Sequence, residues 1–123
     1  MKLRLLSWNV RGANDSSKRK VIKAMIRNQR VDLFCIQETK IQAMTEGLVR
    51  SLGSGRFLDW GTLDAHGFAG GLLICSNKRT LEVIEMEVGN FSISYRLRNV
   101  EDGLVWMFTG VYKGVDVGGD RSN

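Results

Sequence analysis

Two short strings in this chain each set an oxygen-bearing side chain just past an apolar run. The first is Ser7-Trp8-Asn9-Val10-Arg11-Gly12 and the second is Ile36-Gln37-Glu38-Thr39-Lys40. Neighbouring strands of a sheet lie about 4.8 Å apart, so Asn9 and Glu38 at matching strand ends can reach a common ligand. In open α/β sheets, ligands gather at the carboxyl ends of the strands. A hard cation such as magnesium takes oxygen donors, usually one or two carboxylates, and keeps several waters. Glu38 suits that role directly. Asn9 offers both acceptor and donors, either to a phosphate or to the water shell of the ion. The chemistry to which this pairing points is metal-assisted cleavage of a phosphodiester. Both residues also have ordinary readings, since Asn is favoured in turns after strands and an exposed loop Glu is common.

The pairing requires two parallel strands, and the surrounding pattern predicts them. Residues 2–8 read as a strand, with Leu3 and Leu5 on one face and Leu6 and Trp8 on the other. Asn14, Asp15, Ser16 and Ser17 can each cap a helix. Val21, Ile22, Met25 and Ile26 follow at helical spacing with cations opposite, predicting an amphipathic helix over 16–29. Leu33-Phe34-Cys35-Ile36 reads as a strand covered on both faces. Strand, helix, strand in that order closes right-handed with parallel neighbours.

Beyond this unit the pattern changes. A weaker helical pattern covers 43–52, and a polar, Gly-rich loop surrounds Phe57-Leu58-Asp59-Trp60. Gly71-Leu72-Leu73-Ile74-Cys75 reads as another buried strand. Leu81–Val88 and Phe91–Arg98 then form an antiparallel hairpin, with Gly89-Asn90 as a two-residue turn. Glu101-Asp102-Gly103 turns the chain into a further strand from Leu104 to Tyr112. Residues 114–123 contain three Gly and read as a frayed tail after a domain of 1–113. There is no internal repeat.

Composition sets the class. An apolar fraction of 43% and a charged fraction of 25% are ordinary for a globular domain. No apolar run approaches the ~20 residues of a membrane span, and the start lacks the apolar core of a secretory signal, so an intracellular protein without membrane contact is expected. Cys35 and Cys75 lie in apolar runs and read as buried free thiols, a disulfide being the alternative; they lack the paired spacing of a zinc site. The net charge of +5 is uneven, because residues 1–30 hold nine Lys/Arg against the single Asp15. That third suits a polyanion, and equally reads as a solvated helix face. Trp8, Trp60 and Trp106 read as core.

Four strings, Leu5 to Gly12, Gln37-Glu38-Thr39-Lys40, Ala69-Gly70-Gly71-Leu72-Leu73 and Phe108-Thr109-Gly110-Val111-Tyr112, occur in the order of one superfamily. The chain resembles the endonuclease/exonuclease/phosphatase superfamily, and within it the apurinic-type endonuclease domain of plant LINE retrotransposon proteins. The resemblance covers nearly the whole chain but only the N-terminal half of the family domain. It implies an α/β fold, the N-terminal half of a four-layer α/β sandwich, with a mixed sheet flanked by helices. On that basis the chain supplies most of one sheet and leaves the face meant for the second sheet apolar and exposed, which would favour self-association.

The resemblance further implies roles. Glu38 is the family's metal-binding carboxylate and Asn9 the Asn that organises the same site, with Mg2+, or Mn2+ in its place, as cofactor. Tyr112 contacts the scissile phosphate, Lys40 supports Glu38, and Arg11 faces the nucleic-acid backbone. DNA is the implied partner and the nucleus the implied location. Arg11 stands where the abasic-site repair branch has Asp, which argues against that specialty. The LINE pattern continues Gly-Pro after Tyr112, whereas this chain reads Lys113-Gly114. The family's Asp-x-Asn motif and C-terminal Asp-His pair have no counterpart, and His66, the single His, lies in a loop and takes no role. The resulting expectation is a truncated, nearly inactive metal-dependent DNA endonuclease-like domain. The alternatives are a phosphatase acting on inositol or lipid phosphates, and a non-catalytic nucleic-acid-binding fragment.

Overall fold

The computed structural model describes residues 2–13, 15–53, 59–65, 70–111 and 114–119. Strand β1 (Leu5–Asn9) leads into helix α1 (Ser16–Gln29) and strand β2 (Leu33–Gln37). Helix α2 (Glu46–Leu52) and strands β3 (Asp59–Leu63) and β4 (Leu72–Ser76) follow. The second half is β5 (Leu81–Val88), β6 (Ser92–Asn99), β7 (Val105–Val111) and β8 (Gly114–Gly119).

The first sheet runs β1-β2-β4-β3 and is mixed: β1 and β2 are parallel, while β4 is antiparallel to both β2 and β3. The parallel pair is joined through α1, as the βαβ reading requires. Asp15 starts that helix, its carboxylate accepting the Ser17 N–H at 2.9 Å. Ile22 and Ile26 of α1 pack with Val49 and Leu52 of α2 on Phe34, Ile36, Leu73 and Cys75 of the sheet. Alternation along β2 and β4 sends Leu33, Cys35, Leu72 and Ile74 to the opposite face. There they meet Leu81, Ile93, Tyr95, Leu97, Trp106 and Phe108 of the second sheet.

That second sheet is an antiparallel meander, β5-β6-β7-β8. Three layers result: helices, mixed sheet, antiparallel sheet. The face expected to lie open is therefore sealed, with Leu33, Cys35, Leu72 and Ile74 all fully buried. The chain builds its own second sheet because β6 and β7 each present a strict alternation of apolar residues to it. Two close contacts fix the approach. The Tyr95 hydroxyl donates to the Ile74 carbonyl at 3.3 Å. A Cβ at Gly110 would sit 2.8 Å from Ile74 Cδ1 and 2.9 Å from Cys35 Sγ, so only glycine lets β7 come this near.

Two local expectations are corrected. Gly114–Gly119 is not frayed but pairs along β7, from Val111↔Gly114 to Trp106↔Gly119; an open strand edge supplies hydrogen-bond partners that glycine backbone can accept without side-chain demands. In the β5–β6 hairpin the Gly89 N–H reaches the Ser92 carbonyl at 2.8 Å. Its tip is therefore Asn90-Phe91, one residue later than the Gly-Asn signal suggests.

Candidate functional site

Asn9 lies opposite Gln37 in the β1–β2 register, which makes Glu38 the first residue past the end of β2. The carboxyl ends of two parallel strands thus bring the amide and the carboxylate to one edge of the sheet. Hydrogen bonding continues beyond the strands and locks the two loops together. The N–H groups of Val10, Gly12 and Ala13 donate to the carbonyls of Gln37, Glu38 and Thr39 at 3.0, 2.6 and 2.7 Å.

The backbone here is strained. Arg11, Glu38 and Lys40 have φ of 53°, 54° and 57°, and the fourth described non-glycine residue in that region, Arg30, closes α1. A left-handed conformation costs a residue with a Cβ about 1–2 kcal/mol, and such costs cluster at functional sites. The opposing segment holds the strain. Thr39 and Lys40 N–H groups donate to the Gly71 and Gly70 carbonyls. A Cβ at Gly70 would press on Glu38 Cα and Cγ, each 3.2 Å away. Gly71, at φ 96°, would drive a Cβ into Thr39 Oγ1. Thr39 itself is fully buried, its hydroxyl accepting the Ile41 N–H at 3.4 Å. The Gly70-Gly71 pair is therefore a moulded seat for Glu38 and Thr39.

Asn9 is exposed, and its Oδ1 accepts the Arg11 N–H at 3.1 Å. Its Nδ2 has no partner among the described residues and is left to donate outward. Glu38 is half-buried, whereas Arg11 and Lys40 are exposed. Two residues read from sequence only as part of a basic helix face also brace the site. Lys18 Nζ donates to the Arg11 carbonyl at 3.2 Å and Arg19 Nη1 to the Ala13 carbonyl at 2.9 Å. The signal available for them was their place in the first turn of a helix that follows the loop directly. Tyr112 and His66 lie outside the described residues.

A cation at this edge would find the Glu38 carboxylate and the Asn9 amide oxygen that also accepts the Arg11 N–H, a sparse oxygen set of the kind magnesium takes with retained water. Among the described residues no cluster of three or more His, Cys, Asp or Glu offers an alternative. Cys35 and Cys75 are buried free thiols. Burial pushes the Cys35 thiol up to about 12 and the Cys75 thiol well above its ordinary value. Buried and held protonated, such thiols are poorly placed to act as nucleophiles or ligands. Trp8 and Trp60 pack against the helix-side core, and the buried Trp106 indole N–H donates to Asn99 Oδ1 at 2.8 Å, so all three belong to the core.

The model of the Endonuclease/Exonuclease/phosphatase family matches residues 6–112. The chain belongs to this family. Its Asn9 and Glu38 strings and its Gly70-Gly71 seat all fall inside the matched span. Among solved structures, 23 chains are similar. One is the AP endonuclease LMAP from Leishmania major, at a TM-score of 0.58 and 15% identity. That likeness is one of fold. It covers 89% of this chain but 40% of the Leishmania protein, so the chain spans well under half the length of that relative. No curated protein matches the sequence. Among the described residues no helix is long and apolar enough to cross a membrane.

Proposed function

We propose that this chain carries the first part of a magnesium-dependent phosphodiesterase site of DNA endonuclease type, descended from a LINE-like retrotransposon domain and operating on nuclear DNA. The observation that supports it most is the seating of Glu38 beside Asn9 in a strained loop pair held by Gly70 and Gly71. Glu38 and the Asn9 amide would hold a divalent ion, Mg2+ or Mn2+. The chemistry such an ion supplies when bound is polarisation of a phosphate and stabilisation of developing charge. Asn9 Nδ2 would donate to a phosphate oxygen, while Arg11 and Lys40 would neutralise the flanking backbone. Tyr112 is proposed to touch the same phosphate, as the family string implies.

Activation of water needs a base, and among the described residues no group of three or more His, Cys, Asp or Glu side chains gathers to supply one. Members of a catalytic unit act together, so the 123-residue polypeptide by itself should turn over slowly or not at all. Nicking of supercoiled plasmid with Mg2+ or Mn2+ should stay at background; efficient cleavage by the pure chain would refute this. Ion binding gives a readout independent of turnover. Glu38→Gln should weaken Mn2+ binding, followed by electron paramagnetic resonance, at least tenfold, and unchanged binding would sink the assignment of the site.

One observation favours a second reading, a fragment that binds nucleic acid without cutting it. The described residues hold no further acidic cluster, yet residues 1–30 are strongly basic. A chain that binds DNA with steep salt dependence but takes up no Mn2+ would fit that reading better. An extended polyanion accounts for so long a basic segment more readily than a single inositol or lipid phosphate does.

A further inference from the structure

Helix α1 sorts its charges by side. On an ideal helix of 3.6 residues per turn, Arg19, Lys20, Lys23 and Arg27 fall within about 100° of arc, and the left-handed cap residue Arg30 follows at the helix end. The opposite flank carries Val21, Met25 and Asn28, with Lys18 as its one cation. Lys20, Arg27 and Arg30 are exposed, Arg19 and Lys23 partly so. None of the five is in a salt bridge with a described residue. The segment's single acid, Asp15, is used as the N-cap.

A helix face that is merely solvated usually mixes signs, because like charges four residues apart weaken it. Arg19–Lys23 and Lys23–Arg27 are two such repulsive pairs kept in succession. The stripe is also anchored at the site: Arg19 Nη1 holds the Ala13 carbonyl at 2.9 Å, in the loop whose N–H groups clamp Glu38 and Thr39. From Arg19 to Arg30 the track measures about 16 Å at 1.5 Å per residue. That equals the axial rise of about five base pairs of duplex DNA.

We infer that this flank of α1 is a nucleic-acid-binding track that leads phosphates away from the Asn9–Glu38 edge, its cations neutralising the backbone without reading bases. It rests on the reading of the site as one for a nucleic-acid phosphodiester, but it is tested without metal or turnover.

The test is binding of a fluorescein-labelled 20-base-pair duplex, by anisotropy, in EDTA over 50–200 mM salt. Each phosphate contact contributes about 0.9 to the log–log salt slope. Removing two exposed cations, Lys20→Gln with Arg27→Gln, should therefore lower the slope by about 1.8. The charge-preserving pair Lys20→Arg with Arg27→Lys should restore it. Lys78→Gln with Arg79→Gln, which removes equal charge from the exposed turn before β5, should leave it near the parent value. Equal losses in both double variants, or none in the α1 pair, would overturn the track. So would binding to phosphatidylcholine–phosphatidylserine (7:3) vesicles without binding to duplex. The two proposals fail separately: Mn2+ binding that survives Glu38→Gln removes the site, whereas a salt slope indifferent to Lys20 and Arg27 removes only the track.

Discussion

Gly70 and Gly71 are glycines for different reasons. Gly71 needs its φ of 96° and has no room for a Cβ beside Thr39 Oγ1, so both backbone and space exclude a side chain. Gly71→Ala should destabilise the protein by about 1–3 kcal/mol, read as a lower urea midpoint. At Gly70 only space is at issue: a Cβ would lie 3.2 Å from Glu38 Cα and Cγ, so Glu38 would have to give by a few tenths of an ångström. Gly70→Ala should thus cost less stability while displacing Glu38, and show as weakened Mn2+ binding. Equal effects of the two substitutions on stability and on ion binding would contradict this division. The pair of glycines was legible in the sequence as part of a motif. Its purpose was not, because the partner it makes room for lies some thirty residues away in the chain.

At the scale of elements, periodicity located most of the structure. The helix read over 16–29 is α1 itself, since apolar spacing and a capping cluster agree there. Four residues competed for the cap, and the structure selects Asp15, whose carboxylate meets the Ser17 N–H. Asp15→Ala should lower stability by about 1 kcal/mol, measurable as a fall in thermal midpoint, whereas loss of a merely exposed carboxylate would shift it little. The strand read over 2–8 begins later, at Leu5, and ends at Asn9, which places Asn9 in the ladder with Gln37 rather than in a turn beyond it. Strand β8 was missed because its glycines carry no hydrophobic pattern. Only pairing with β7 reveals it.

Across the whole molecule, the two cores that flank the first sheet enclose ionisable groups that burial keeps neutral: Cys75 on the helix side, Cys35 and Tyr95 between the sheets. Burial raises Cys35 from 9.0 to about 12 and also raises Cys75 and Tyr95. In the unfolded chain these groups lose their protons at lower pH than in the fold. Above about pH 9 the folded state therefore binds more protons, and stability falls as pH rises, continuing until the folded groups themselves ionise. The slope approaches about 1.4 kcal/mol per pH unit for each such group. Urea midpoints at pH 8 and pH 10.5 should differ accordingly. Cys75→Ala should flatten that difference, and an unchanged alkaline slope in the variant would count against the thiol as its source.

The sequence by itself determined the βαβ unit, the antiparallel second half and the two strings that carry Asn9 and Glu38, because apolar period and capping chemistry are local properties of the chain. Tertiary structure alone decided three things: that Asn9 stands opposite Gln37, which puts Asn9 and Glu38 at one edge of the sheet, that Arg11, Glu38 and Lys40 are held left-handed, and that the second sheet seals the first. Each depends on residues far apart in sequence being pressed together by packing and cross-strand hydrogen bonds, and no local pattern encodes that pressure.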